Sequence, residues 1–228
     1  MTRDFNRVRI VAVDIEAWLR GHRSGGCTLI DNVKKNMKDL LASAAEIGLH
    51  VIVVGHHPLA SHGTHGGFYD WQDYLFPLTR IASILWLQLP VIGSVYPLVR
   101  TILPATQDLH SPDYRTVRKA LEEALSDNPP LLYAAGHDHS LQVLDGGPLG
   151  CYAVSGLGSG RKQTPVTDGP DTMFARAGKA GFMVVDFWRA GKLLLRVIDV
   201  SNGTSPIFFT WLTGPGIPSI RVHRSEPH

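Results

Sequence analysis

Val51–Gly67, VIVVGHHPLASHGTHGG, and Leu131–Ser140, LLYAAGHDHS, are the two stretches around which the chain is organised. Each is a short apolar run that ends in Gly-His, and together they hold six of the eleven histidines. Val51–Val54 and Leu131–Ala135 are too short for helices and suit buried strands. In open α/β sheets ligands gather outside the carboxyl ends of the strands, so His56 is expected to meet His137 and His139 there. Two histidines spaced i, i+2 fall on one face of an extended segment, and just past the strand both rings can turn toward one centre. Metal binding is the natural use of such a centre. One histidine after a strand is more often a satisfied polar residue than a ligand; the repetition of the Gly-His ending carries the reading. Gly55 and Gly136 are expected to leave room where the backbone passes close to a bound ion or phosphate.

Working outward, Val8–Val13 reads as a buried strand, and the acid after it, Asp14, is expected to cap or support structure rather than bind a ligand. Gly21–Gly26 reads as a polar loop. Val33, Met37, Leu40, Leu41 and Ala44 form an apolar stripe from Asp31 to about Gly48, with Lys34, Lys35, Lys38 and Asp39 on a face expected to be solvated. A second helix is expected from Ser111, where Ser suits the N-cap and Pro112 the first helical position. Asn128-Pro129-Pro130 ends it, and the Leu131 strand follows. Beyond Ser140, Leu141–Leu144, Cys151–Val154, Gly181–Phe187, Leu193–Val200 and Ile207–Trp211 read as strands joined by turns, a succession that suits an antiparallel sheet.

At 228 residues, 44% apolar and 18% charged, the chain is expected to be one globular α/β domain. A net charge of +2 without a basic run gives no ground for nucleic-acid binding. Cys27 and Cys151 are too few for a disulfide framework. No apolar segment follows the basic start, so no signal peptide is visible. Ile81–Val99 is nineteen residues without charge, the length of a membrane span, but Pro90, Gly93 and Pro97 interrupt it. Residues 68–110 are read instead as an apolar insert beside the cleft, with Trp71, Trp86 and Tyr96 as possible walls.

GHHP at Gly55–Pro58, HGG at His65–Gly67 and GHDH at Gly136–His139 resemble the last two signature blocks of the calcineurin-like metallophosphoesterases, the superfamily that includes purple acid phosphatases. The flanks VAVDIEAWL, QDLHSPDYR and AVSGLGSG are similar to those of bacterial members, so the resemblance covers nearly the whole chain. It implies a two-sheet β-sandwich flanked by helices and hydrolysis of a phosphoester by hydroxide attack on phosphorus at a two-metal site, with iron, manganese or zinc as the ions. By the same resemblance His56, His137 and His139 are metal ligands, and His65 contacts the phosphate and protonates the leaving group. His57 stands at a position that varies in the family and is not expected to be a ligand. Asp138 is a candidate acceptor behind the ligands only by its proximity.

The family's earlier blocks, Asp-x-His, Gly-Asp and Gly-Asn-His with an acid, supply the bridging carboxylate and further ligands. None lies before Gly55, and Asp108-Leu109-His110 comes too late in the chain to be the first of them. The chain therefore reads as the carboxyl-terminal part of such an enzyme, with its site incomplete. The alternatives are a noncatalytic metal-binding remnant and a membrane-associated interaction protein that uses Ile81–Val99.

Overall fold

The apolar runs around the two Gly-His endings become neighbouring strands at the centre of a sheet. In the computed structural model, which describes residues 1–24, 27–63, 111–156, 164–188, 191–212 and 221–222, Thr2–Phe5 (β1), Val8–Val13 (β2), His50–Gly55 (β3), Leu132–Ala135 (β4), Leu141–Asp145 (β5), Cys151–Ser155 (β6) and Thr172–Arg176 (β7) build a seven-stranded sheet in the order β1-β2-β3-β4-β6-β5-β7. β2, β3, β4 and β6 run parallel, with Val13 opposite Gly55 and Val54 opposite Ala134, so their carboxyl ends finish on one edge. Gly181–Phe187 (β8), Leu193–Asp199 (β9), Pro206–Leu212 (β10) and Arg221–Val222 (β11) form a second sheet, antiparallel throughout, in the order β11-β10-β9-β8. The antiparallel expectation thus holds for β8–β10. It holds also between β5 and β6, but β6 lies parallel beside β4 on its other side, so both strands belong to the large mixed sheet. The short strand β7, absent from the sequence reading, pairs with β5.

Two apolar cores lie on the two faces of the large sheet. On one face Val11, Val53 and Tyr133 pack against Ile15–Arg23 (α1), Cys27–Glu46 (α2) and Pro112–Leu125 (α3), which contribute Leu19, Leu41 and Leu121. On the other face Ile52, Leu132, Leu141 and Val143 meet Leu193, Leu195, Val197 and Phe208 of the second sheet. The architecture is α/β: a large mixed sheet with helices on one side and a smaller sheet on the other.

Local signals explain the helices. Asp14 caps α1, its carboxylate accepting from the Ala17 N–H at 3.0 Å, as expected of an acid at that strand end. α1 runs to Arg23, so Gly21–Arg23, expected in a loop, is helical; Trp18 and Leu19 drive this by burying against the sheet. α2 starts at Cys27, four residues before the expected Asp31, and ends in a Schellman motif. There Leu49 N–H donates to Ala44 O at 2.8 Å, Gly48 N–H donates to Ala45 O at 3.1 Å, and Gly48 takes φ +69°. Lys34 and Lys38, expected on a solvated face, reach across to Glu123 of α3 and to Asp127 just past its end. Ser111 caps α3 through the Tyr114 N–H at 3.1 Å, with Pro112 at its start.

Among the described residues no helix is long and apolar enough to cross a membrane. Ile81–Val99, the 68–110 insert and its aromatic residues lie outside the described residues.

Candidate metal centre

β3 and β4 end side by side, and the residues just past them turn their imidazoles together. One ring nitrogen each from His56, His57 and His137 lies within 4.8 Å of the others. His137 Nδ1 stands 3.3 Å from His56 Nε2, and ring centroids are separated by 4.9 Å (His56–His57), 5.1 Å (His56–His137) and 4.5 Å (His57–His137). The 3.3 Å spacing of that pair is close to the edge of a tetrahedron with metal–nitrogen bonds of about 2.0–2.1 Å, so these two donors suit one borderline-soft ion such as zinc, with a nitrogen of His57 within 4.8 Å of both. His56 is exposed, His137 half-buried and His57 buried, which leaves the group open to solvent from one side.

The expected ligands meet only in part. His56 and His137 come together as predicted. His139, half-buried, is outside the group, and its carbonyl accepts from the Thr164 N–H at 3.1 Å. His57, set aside on the family pattern, supplies the third ring. Nothing in the sequence separated His57 from His56 as a donor, because their adjacency fixes no direction once the strand has ended. His65, the expected proton donor, lies outside the described residues, as do Asp108–His110.

Several buried polar groups hold the two loops in place. Tyr133 donates to His57 O at 3.0 Å and Tyr114 to Pro58 O at 2.5 Å, so two phenols from β4 and α3 grip the backbone that carries His57. Burial pushes both phenols above the usual tyrosine range, with a contribution from neighbouring groups, so both remain donors at neutral pH. The His56 carbonyl accepts from Gly136 N–H at 3.0 Å, which ties the first loop to the second. His137 itself sits in the left-handed region at φ +65°.

Asp138 is fully buried and accepts from the Ser61 hydroxyl. Ser61 Oγ in turn accepts from Gly63 N–H and from Gln142 Nε2, both at 3.0 Å. Gln142 also donates to Ser140 Oγ at 2.8 Å and accepts from His62 N–H at 2.8 Å. This network joins Ser61–Gly63 to Asp138–Gln142 from beneath. His62 turns away from the histidine group to Asp171, with 2.6 Å between Nε2 and Oδ1.

The glycines have reasons other than the one expected. A β-carbon on Gly55 would lie 2.8 Å from the Tyr133 hydroxyl, so Gly55 makes room for the phenol that holds His57. A β-carbon on Gly63 would lie 2.8 Å from the Asp138 carboxyl carbon, and one on Gly156 only 1.9 Å from the Asp138 carbonyl oxygen. These close approaches bring the start of the glycine-containing Ala153–Gly160 segment against the second histidine loop. Gly136 faces the histidine group, where an added β-carbon would be in ordinary contact with the His56 ring at 3.9 Å.

No protein-family model matches the chain. No curated protein matches it either. Among solved structures it is similar to GAP50, described as the anchor in the inner membrane complex of Plasmodium, with a TM-score of 0.58 and 16% identity over 93% of this chain and 52% of that one. The chain spans about half the length of that protein, and at this identity the likeness speaks for the fold alone.

Proposed function

We propose that this chain carries the histidine part of a phosphoester-hydrolysing metal centre of the calcineurin-like kind, in a sandwich of that family's type. The observation that carries the reading is the convergence of His56, His57 and His137 where parallel strands β3 and β4 end. The GHHP and GHDH motifs, the two sheets sharing one core and the helices on the outer face suit it. An ion held there would supply Lewis-acid polarisation of a phosphoryl oxygen and acidify an attacking water. His56, His57 and His137 would hold it as neutral imidazoles, Tyr133 and Tyr114 would fix the loop that presents two of them, and His65 would protonate the leaving oxygen. His139 is kept as a ligand for a second ion, and iron, manganese and zinc are the candidate metals.

A specific observation favours a second reading, noncatalytic metal binding. Among the described residues the convergent group holds three imidazoles and no carboxylate, whereas the family's two-metal site needs a bridging acid. The membrane-associated alternative rests on Ile81–Val99 and on the anchor description of GAP50.

Elemental analysis of the purified chain, alongside hydrolysis of p-nitrophenyl phosphate and bis(p-nitrophenyl) phosphate, separates the readings. Bound metal with hydrolysis, both lost in His137→Ala, would support the catalytic reading and would mean that the chain completes the site with acids its sequence does not announce. Metal without turnover leaves the noncatalytic reading, and absence of metal after reconstitution with zinc, manganese and iron removes both.

A further inference from the structure

A second site lies at the opposite end of β3 from the histidine group. His50 opens that six-residue strand, and at about 3.3 Å per residue its ends stand on the order of 15–20 Å apart. Around His50 the β1–β2 turn, the start of β2 and the β8–β9 turn enclose a cavity of about 600 Å³. Its lining includes the cationic Arg7 and Lys192, the imidazole of His50, and the aromatic rings of Phe187 and Trp188, and among the described residues no lining residue is acidic. The two rings belong to residues 54% and 56% exposed, unusual for large apolar side chains beside a concavity.

The geometry of the two turns is built to bring these groups together. Gly191 takes φ +76° just before β9, and a β-carbon there would be in ordinary contact with His50 Nε2 at 3.4 Å and Arg7 Nη1 at 3.6 Å. Both side chains therefore converge over one point of the turn. Trp188 N–H donates to Lys192 O at 2.8 Å, which sets the two residues side by side, and the Trp188 ring meets the Trp211 ring edge-on with centroids 5.8 Å apart. His50 N–H donates to Arg7 O at 2.8 Å, which joins the other two groups.

We infer that this cavity binds a small aromatic phosphate of mononucleotide size, the phosphate held by Arg7, Lys192 and His50 and the ring stacked on Trp188 and Phe187. The size suits a small molecule rather than a macromolecular surface. Guanidinium and ammonium groups together match a phosphate dianion, and aromatic faces beside them match a nucleobase. A purely apolar ligand would leave the cations without a partner, and a bare anion would leave both rings exposed.

Calorimetric titration with AMP, inorganic phosphate and adenosine tests this, in EDTA and in both the unmodified chain and His137→Ala. AMP is expected to bind at one site, more tightly than phosphate or adenosine, and equally in the presence and absence of His137. Arg7→Ala, Lys192→Glu and Trp188→Ala should each weaken AMP about tenfold or more while leaving the melting temperature in place, since all three side chains are exposed. The inference is overturned if AMP shows no saturable binding, if these variants leave its affinity unchanged, if phosphate binds as tightly as AMP, or if His137→Ala abolishes the binding.

Discussion

His137 takes a left-handed conformation that a β-carbon disfavours, at a cost on the order of 1–3 kcal/mol, and it does so at the point where its ring meets His56 and His57. Local strain coinciding with convergent donors suggests that the loop is kept for what the ring does rather than for stability. His137→Gly, which relieves the strain and removes the ring, should leave the metal-free protein at least as stable as the parent and about 1 kcal/mol more stable than His137→Ala in urea unfolding with EDTA present. Neither variant should retain metal. A loss of stability in the glycine variant would mean that ring packing outweighs backbone strain. The same scale decides which histidines are ligands. If one ion sits in the convergent group, His57→Ala weakens zinc binding tenfold or more in competition titrations and His139→Ala leaves it nearly unchanged. The reverse result would restore the order of ligands that the GHDH resemblance implies. His56 and His137 were legible because each directly follows the glycine that closes an apolar run. His57 was not, because its direction depends on Tyr133 and Tyr114 gripping the loop from residues far away in sequence.

Between elements, buried polar contacts do what the sequence pattern does not announce. Asp199, at the end of β9, is buried and accepts from Ser201 N–H at 2.8 Å and from the Ser201 hydroxyl at 2.6 Å, while Arg176 at the end of β7 pairs with it at 3.0 Å. Burial alone would raise its pKa, but the Ser201 bonds and the Arg176 and Lys179 charges outweigh that and hold the carboxyl below the usual range. A depressed acid contributes stability that is fully present above its unfolded pKa of about 3.9 and is lost as pH falls through the folded value. Asp199→Asn should therefore cost about 1–3 kcal/mol at pH 7 and make stability fall less steeply below pH 4, as read by unfolding at a series of pH values. A pH dependence identical to that of the parent would remove Asp199 as its source. The elements themselves were largely legible: Ser111-Pro112 marked the start of α3, and the apolar runs marked β2, β3 and β4. β7 escaped because its short run, TMFAR, alternates weakly and becomes a strand only through pairing with β5. The partners of β6 escaped for a similar reason, since an apolar run of that length does not state whether its neighbour will be parallel or antiparallel.

For the whole molecule, the large sheet is the layer both cores share, so neither the helices nor the second sheet has a complete apolar face of its own to bury against. Leu41 of α2 is buried in the helix-side core and Leu195 of β9 in the core between the sheets, on opposite faces of the same strands. Truncation of either to alanine should cost about 2–5 kcal/mol through lost burial and the cavity left behind. Because the two sites share no contact across the sheet, the double variant should lose the sum to within about 0.5 kcal/mol. Each protein should unfold in one transition, with far-ultraviolet dichroism and tryptophan fluorescence coincident, because loss of either layer exposes a face of β2, β3 and β4. That same coupling bears on the candidate metal centre, whose loops spring from β3 and β4. A ligand held by His56, His57 and His137 should raise the midpoint of the single transition in the parent and in both variants alike, by an amount set by its concentration over its Kd. Two resolved transitions in Leu195→Ala, with only one of them shifted by zinc, would show instead that the second sheet folds apart from the layer that carries the histidines.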